Sequence, residues 1–193
     1  MRLLALLTIT FLAGCVTPSV TSPHGNPIER QLQDQLTGVW QSPDGELIHI
    51  KKFENRLLIG FLEFDEKRGQ YVAINSEAVL TTNENRTFVF FRIPGESDEF
   101  FFFVVSNFTD GIITLRRPDP EVFRQGVKTG TISGKIVDRN LYGNSYQRAR
   151  LDADEDSFFK FLKEKGLDNC FAKDSEITYR KLEHPQRGSE VRD

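Results

Sequence analysis

The chain has 193 residues, with 25 Lys and Arg against 28 Asp and Glu and a formal net charge of −3. This mildly acidic balance argues against nucleic acid as a partner, because phosphate binding needs a basic face, and against electrostatic attachment to anionic lipid. The length suits one domain with a core of its own. Since Phe occurs 17 times and Trp only once, we expect a core dominated by Phe packing.

An apolar segment opens the chain. Arg2 supplies a positive charge, residues 3–12 are apolar apart from Thr, and two small residues precede Cys15. This layout is typical of a secretory signal, and it is too short to span a bilayer as a stable helix. We therefore predict that residues 1–14 form a signal peptide.

The sequence Leu12-Ala13-Gly14-Cys15, which ends this segment, resembles the lipobox of bacterial lipoprotein precursors. The resemblance implies transfer of diacylglycerol to the Cys15 thiol and cleavage before this cysteine. It usually implies acylation of the new amino group as well, by a fatty acid such as palmitate. Several buried acyl chains anchor a protein effectively, so the membrane is an expected partner through Cys15. The alternative is a plain secretory signal with a chance cysteine at its cleavage site.

The lipobox also implies a location in the bacterial cell envelope. Val16 follows the cysteine, whereas an Asp there would favour retention in the inner membrane, so we expect the outer membrane, facing the periplasm. Because lipid occupies Cys15, Cys170 has no partner within the chain and a disulfide framework is excluded. We expect Cys170 to be a buried, small apolar residue.

Residues 15–29 are predicted to form a lipidated N-terminus and a flexible tether. Pro, Ser, Thr and Gly dominate this stretch, and it shows no hydrophobic period. His24 lies within it and has no expected role. The folded domain is predicted to span residues 30–182, beginning with a short helical turn, and residues 183–193 to form a disordered polar tail.

Short strands separated by turn residues then follow at regular spacing. The predicted strands cover residues 46–53, 57–64, 70–80, 86–93, 99–106, 112–117, 131–138 and 141–146, and residues 176–182 could add a last one. With no helix expected between the strands, the pattern indicates an antiparallel meander. We predict a mainly β fold, a single up-and-down barrel with one C-terminal helix, with a β-sandwich as the alternative.

Two of the predicted strand regions, residues 57–62 and 100–105, are apolar on both faces. Either one face fills the interior while a helix or a further strand layer covers the other, or the barrel encloses an apolar cavity. A transmembrane barrel is not expected, because the segments lack a repeated alternation of apolar outward and polar inward residues.

The C-terminal helix is predicted over residues 154–165. Asp154 suits the N-cap, acidic residues fill the first turn, lysines fill the last turn, and a Gly follows. Phe158, Phe161 and Leu162 share one face of this helix. That face should lie on the outside or the end of the sheet.

A Gly-x-Trp sequence that ends at Trp40 resembles the element that opens lipocalin and wider calycin barrels. The resemblance holds at the level of architecture over about residues 36–165. It implies a lipocalin-like barrel in which Trp40 packs across the closed end beneath an Arg from a late strand. Arg148, Arg150 and Arg180 are the candidates for that Arg. Trp40 is also a weak candidate for ligand binding, although core packing is favoured.

No catalytic, metal or cofactor site is predicted, and we do not expect an enzyme. His49 is the one His within the predicted folded domain, since His24 lies in the predicted tether and His184 in the predicted tail. A Ser-His-Asp or Cys-His site would therefore depend on His49 alone. A zinc cluster lacks ligands, and no Gly-rich phosphate loop is present. The acids at residues 152–156 lack the Gly and Glu of a calcium loop and are better explained by the helix dipole.

The favoured function is binding or carriage of an apolar small molecule, such as a lipid or a fatty acid, inside the barrel. The motivation is the surplus of Phe and aliphatic residues on both faces of the strands. The alternative is a protein-interaction module with a filled barrel, for example an envelope assembly factor or an inhibitor, which would have envelope proteins as partners. The two hypotheses differ in whether the barrel is hollow.

Overall fold

An antiparallel β-barrel forms the centre of the computed structural model, which describes residues 17–28, 30–65, 69–92, 98–109, 111–141 and 144–182. The barrel strands are β3 (Gly38–Gln41), β4 (Leu47–Phe53), β5 (Arg56–Asp65), β6 (Gln70–Asn83), β7 (Arg86–Arg92), β8 (Phe100–Thr109), β9 (Ile112–Arg116) and β12 (Glu176–Lys181). The other strands are β1 (Ser19–Val20), β2 (Asn26–Pro27), β10 (Gly134–Leu141) and β11 (Asn144–Leu151).

Short helices accompany the strands. They are α1 (Arg30–Leu36), α2 (Pro120–Lys128), α3 (Glu155–Lys165), α4 (Leu167–Cys170) and a 3-10 turn at Lys173–Ser175. Within the described residues, no helix has the length and the apolar character needed to cross a membrane. The predicted signal peptide, Cys15 and the predicted tail at residues 183–193 lie outside the described residues.

Closure of the barrel depends on the last strand. β3 to β9 follow one another as a meander, and β12 pairs with both β9 and β3. In the described part of the chain, these eight antiparallel strands therefore form a closed ring. The prediction of a mainly β, lipocalin-like up-and-down barrel is confirmed, and the chain does not adopt the alternative β-sandwich.

The predicted strands at residues 131–138 and 141–146 do not belong to the ring. β10 and β11 pair with each other, and β11 reaches β8 only through β1. The chain leaves the ring after β9, because α2 and the following turn carry it onto the outside of the barrel. The hydrophobic pattern of a strand does not specify its neighbour, so this excursion was not predicted.

A helix interrupts the strand series where none was expected. The Asp119 carboxylate caps the start of α2 by accepting hydrogen bonds from the backbone N–H groups of Glu121, at 2.8 Å, and Val122, at 3.4 Å. Pro120 takes the first helical position, where its missing N–H costs nothing. The expectation that no helix separates the strands is therefore wrong at this point.

The predicted C-terminal helix agrees with α3. Asp154 is its N-cap and accepts a hydrogen bond from the N–H of Ser157 at 2.7 Å. Phe158, Phe161 and Leu162 are buried, and they pack on the outside of the barrel wall, as predicted.

Two hydrophobic clusters lie on opposite faces of the barrel wall. Inward side chains from the ring strands, together with α1, form the interior cluster, which includes Leu36, Trp40, Ile50, Leu57, Ala78, Leu80, Val89 and Ile113. Outward side chains of β7 and β8 join the helices and β11 in the exterior cluster, which includes Phe88, Phe90, Phe102, Val104, Phe123, Ala149, Leu151, Phe158, Phe161, Cys170 and Phe171. For residues 100–105, the expected cover on the outer face is present, since Phe102 and Val104 belong to the exterior cluster. On the inner face, Phe103 and Val105 pack against the interior cluster.

The N-terminal segment is folded onto the barrel, and the tether prediction is wrong for residues 17–28, a segment that we call the strap. Its strand β1 pairs with β8 on one side and with β11 on the other. Its strand β2 pairs with β6, and Val20 and Ile28 are buried. Pro, Ser, Thr and Gly are as common in packed turns as in tethers, and here the edges of the sheet supply backbone hydrogen-bond partners for the strap.

Candidate functional site

One end of the barrel is closed by α1, with Trp40 beneath it. The indole N–H of Trp40 donates to the carbonyl of Leu36 at 2.8 Å, and the Trp40 side chain is fully buried. The Lys181 ammonium lies 5.6 Å from the centroid of the Trp40 ring, and it donates to the carbonyl of Gln35 at 2.8 Å. This cation–π contact and the two hydrogen bonds hold α1 across the barrel end.

The cation above Trp40 is therefore Lys181, which corrects the prediction of an Arg. Lys181 pairs with Trp40 across β12 and β3, so both side chains lie on the same face of the sheet. The neighbouring Arg180 takes the opposite face and is exposed. Arg148 and Arg150 lie in β11, outside the ring, where they face a different partner.

A small apolar cavity lies inside the barrel among the described residues. It holds about 30 Å³, and it lies beneath α1 against Leu80, Val105 and Ile113. Sites for lipids and other drug-sized molecules usually measure about 300–1,000 Å³. Trp40 is not among the residues that line this cavity, and its side chain is fully buried in the core, as favoured.

Side chains from the wall also fill the interior away from α1. Phe91 stacks on Phe103 at 5.3 Å between ring centroids and contacts Phe101 at 5.5 Å. The Tyr179 hydroxyl donates to Glu46 Oε2 at 3.2 Å. Burial raises the pKa of the Glu46 carboxyl and also the pKa of the Tyr179 phenol. These two polar side chains therefore partner each other inside the barrel.

A cleft of about 250 Å³ lies on the outside of the barrel, where β8 and β9 meet the start of α4. Arg116 is its central cation. Its guanidinium donates to Asp168 Oδ1 at 2.7 Å and to Glu176 Oε1 at 2.9 Å. These two carboxylates compensate the charge of Arg116, and Arg86 is a second cation that lines the cleft.

The described part of the chain contains no group of three His, Cys, Asp or Glu side chains that could hold a metal ion. His49 pairs with Gly60 across β4 and β5 and is exposed on the outer face. Cys170 is fully buried, as predicted, and burial raises the pKa of its thiol to about 12. A thiol with so high a pKa is a poor nucleophile at neutral pH.

A buried ionic cluster joins the strap to β8 and β11. The Ser19 hydroxyl donates to Glu99 Oε2 at 2.8 Å, and the Arg148 guanidinium donates to the same oxygen. Arg150 Nε lies 3.6 Å from Glu99 Oε1, and the Arg148 guanidinium lies 5.0 Å from the centroid of the Phe101 ring. Ser19, Glu99 and Arg148 are all buried. The sequence analysis did not predict this cluster, because its members come from three elements that are far apart in the chain.

His24 fixes the middle of the strap. Its ring lies 4.9 Å from the ring of Phe158 and 6.1 Å from the ring of Phe90, and the residue is buried. The peptide group between His24 and Gly25 is held at both of its polar atoms. Its carbonyl accepts a hydrogen bond from the Thr81 hydroxyl, and its N–H donates to Glu155 Oε2 at 2.9 Å. The expectation that His24 has no role is wrong with respect to packing.

Acidification is expected to weaken the fold through His24. Burial lowers the pKa of its imidazole, although the carboxylates of Glu155 and Asp154 act in the opposite direction. The unfolded chain binds the His24 proton more tightly than the folded chain does. The stability that the neutral, buried His24 provides is therefore complete above the ordinary His pKa of about 6.5, and it is lost as the pH falls below that value. The free energy of unfolding, measured by urea titration at about pH 7.5 and about pH 5, should fall more in the native chain than in His24→Leu.

The matched control for this measurement is His49→Gln, since His49 is exposed on the barrel wall. This variant should lose as much stability on acidification as the native chain. Equal losses for His24→Leu and the native chain would show that protonation of His24 is not responsible.

The outer face of β3, β4 and β5 contributes no described residue to the exterior cluster, and we call it the open wall. Leu47, Phe53 and Leu62 are 48%, 50% and 64% exposed on it. Leu47 and Leu62 are neighbours, one residue beyond the pair Ile48 and Phe61. The second predicted two-faced strand, residues 57–62, is therefore buried on one face only. Large exposed apolar side chains that adjoin one another are characteristic of interaction surfaces.

Comparison with known protein families, curated proteins and solved structures yields no match to this chain.

Proposed function

We propose that this chain is a lipid-anchored protein of the bacterial cell envelope whose filled barrel serves as a rigid scaffold for binding another envelope protein. The observation that carries the proposal is the packing inside the wall, where Phe91 contacts Phe101 and Phe103, while the apolar cavity beneath α1 holds about 30 Å³. A barrel filled by its own side chains supports an interaction module better than a carrier of lipid. The lipobox resemblance of residues 12–15 supports the anchor and a place in the outer membrane, facing the periplasm.

The open wall supplies the proposed binding surface. Its paired leucines, Leu47 and Leu62, have no covering element, in contrast to the Phe side chains on the outer face of β7 and β8. Interfaces gain much of their energy from a few desolvated apolar anchors. A partner that covers Leu47 and Leu62 would bury such anchors on a rigid surface, with little loss of conformational freedom in the barrel.

Photo-crosslinking in cells tests this function. A photoreactive amino acid at Leu62 should give one discrete adduct of higher mass, and the yield should fall when Leu47→Glu is added. The control position is Lys160, whose side chain is 75% exposed on α3 and lies outside the open wall. The same adduct from both positions, or none from Leu62, would contradict the proposal.

Two further measurements separate the anchor from carriage of a ligand. The intact mass of the mature protein should show diacylglycerol and an acyl chain on Cys15, and Cys15→Ser should move the protein out of the membrane fraction. An organic extract of the Cys15→Ser protein should contain no stoichiometric lipid. A lipid recovered at one copy per chain would instead support the carrier hypothesis.

A further inference from the structure

The cleft on the outside of the barrel is lined by polar and charged side chains that come from four elements. Arg86 begins β7, Ser106 lies in β8, Arg116 ends β9, and Asp168 and Asn169 belong to α4. The cleft holds about 250 Å³, slightly less than the roughly 300–1,000 Å³ of sites for drug-sized molecules. Its size therefore suits a ligand of about the size of an amino acid.

The floor of the cleft lies at an irregularity in the barrel wall. Val105 pairs with Leu115 and Asn107 pairs with Thr114, so Ser106 is an extra residue in β8. A strand bends at such a β-bulge, and bulges are frequent beside active sites. The Ser106 hydroxyl, which donates to the carbonyl of Thr114 at 3.3 Å, therefore lies where the wall departs from a regular sheet.

Arg116 is a cation of fixed orientation in this cleft. Its Nη1 donates to Asp168 Oδ1 at 2.7 Å, and its Nε donates to Glu176 Oε1 at 2.9 Å. A guanidinium group has five N–H donors. Because no acceptor among the described residues bonds the Nη2 of Arg116, the two N–H donors of this atom are available to a ligand.

Arg86 is the second cation, and its charge is not compensated within the described part of the chain. The residue is exposed, and no described carboxylate forms an ion pair with it. Glu84, the acid nearest to it in the sequence, lies 3.9 Å from the ammonium of Lys163 instead. Arg86 can therefore turn its guanidinium toward an anion in the cleft.

The two cations stand on either side of β8. Arg86 adjoins Thr87, which pairs with Val105, and Arg116 pairs with the neighbouring Val104. Two strand spacings, roughly 10 Å, separate β7 from β9. Since both Arg residues line the same cleft, a ligand that lies over β8 contacts both of them.

We propose that this cleft binds a small organic monoanion with a carboxylate group, whose oxygens accept hydrogen bonds from Arg86 and from the Nη2 of Arg116. Arg and carboxylate form short, charge-assisted hydrogen bonds, and the forked guanidinium can bind both carboxylate oxygens. The site lies on β7, β8 and β9, whereas the open wall lies on β3, β4 and β5. The proposal is therefore independent of the anchor and of the protein partner proposed above.

The other side chains of the cleft favour a single negative charge on the ligand. The carboxylates of Asp168 and Glu176 lie beside Arg116, and they would repel a second negative charge. Asn169 is held by a hydrogen bond from its Nδ2 to the carbonyl of Lys165 at 2.7 Å, which leaves its amide oxygen as an acceptor. A neutral N–H or O–H group of the same ligand can donate to this oxygen.

An NMR titration of the full chain, purified in detergent, tests the proposal. The probe is N-acetylalanine, which carries one carboxylate on a molecule of suitable size. We expect saturable shifts of the backbone amides of Ser106 and Asn169, with a Kd of about 1–10 mM. The neutral N-acetylalanine amide should bind about tenfold more weakly or less, because it cannot form the charge-assisted bonds.

Two variants test the role of the free cation. Arg86→Gln should weaken binding of N-acetylalanine about tenfold, and it should keep the fold because Arg86 is exposed. The matched control is Arg30→Gln, which removes an exposed Arg at the start of α1 and should bind the probe as the native chain does.

Three results would overturn the inference. They are the lack of saturable shifts with N-acetylalanine, equal binding of the acid and its amide, and equal binding by the native chain and Arg86→Gln. Inorganic phosphate, tested at about pH 8 where it is mainly a dianion, should bind more weakly than N-acetylalanine. Tighter binding of phosphate would also overturn the inference, because the proposed site disfavours a second negative charge.

Discussion

Replacing Phe102 by Ala is expected to lower the free energy of unfolding by about 3–5 kcal/mol, the range for loss of a large, fully buried aromatic side chain. Phe102 is completely buried on the outer face of β8. Its ring lies 5.4 Å from the rings of both Phe123 in α2 and Phe158 in α3. It also contacts Phe90 at 6.1 Å and Phe171 at 6.0 Å. The cavity left by Ala would face β7, α2 and α3 at once.

Chemical unfolding followed by tryptophan fluorescence measures this effect, because Trp40 is the one Trp in the sequence and is buried. The control is Leu62→Ala, which removes a side chain that is 64% exposed and should change stability by no more than about 0.5 kcal/mol. A loss below about 1 kcal/mol for Phe102→Ala would mean that the exterior cluster can collapse around the missing ring.

The second large effect is expected at the buried ionic cluster. Glu99→Gln keeps the shape of the side chain and removes its charge, which leaves Arg148 buried beside a neutral amide. Breaking a buried charge pair in this way typically costs about 3–5 kcal/mol. Because Glu99 also accepts a hydrogen bond from Ser19, amide hydrogen exchange in the strap should become faster in the variant.

Glu77→Gln is the matched control for this substitution. The Glu77 carboxylate accepts hydrogen bonds from Arg92 at 3.0 Å and from Arg56 at 2.9 Å, at a partly exposed site on the wall. Pairs of this kind contribute about 0–1 kcal/mol, because water screens the charges. If Glu99→Gln and Glu77→Gln lower the free energy of unfolding by the same amount, the Glu99 cluster does not stabilise the fold as a buried pair.

The hairpins of the barrel could be predicted because their signals are local. Alternating apolar residues and turn residues recur along the meander, and each hairpin pairs residues that are close in the chain. Barrel closure has no such local signal, because β12 pairs with β3 and β9, which are far from it in the sequence. The start of α2, at Asp119 and Pro120, did carry a local signal for a helix, and the sequence analysis overlooked it.

The strap and the ionic cluster depend on contacts that no local pattern contains. Val20 and His24 stand among residues typical of a linker, and their partners are surfaces formed by β8, β11 and α3. The position of Lys181 above Trp40 likewise depends on the register of β12 against β3. A shift of one residue would place Arg180 on that face instead of Lys181. The open wall could not be predicted either, since the exposure of its outward leucines depends on which strands the described helices pack against.

The pairing of β1 between two strands has a mechanical consequence for the proposed N-terminal anchor. A pull on the anchor acts along β1, so it loads the backbone hydrogen bonds to β8 and β11 in shear and all together. A free linker would instead straighten before it transmitted any force. Tension between the membrane and a bound partner would therefore pass directly into the barrel wall. The hydrogen bond from Ser19 to Glu99 would be among the first contacts to bear it.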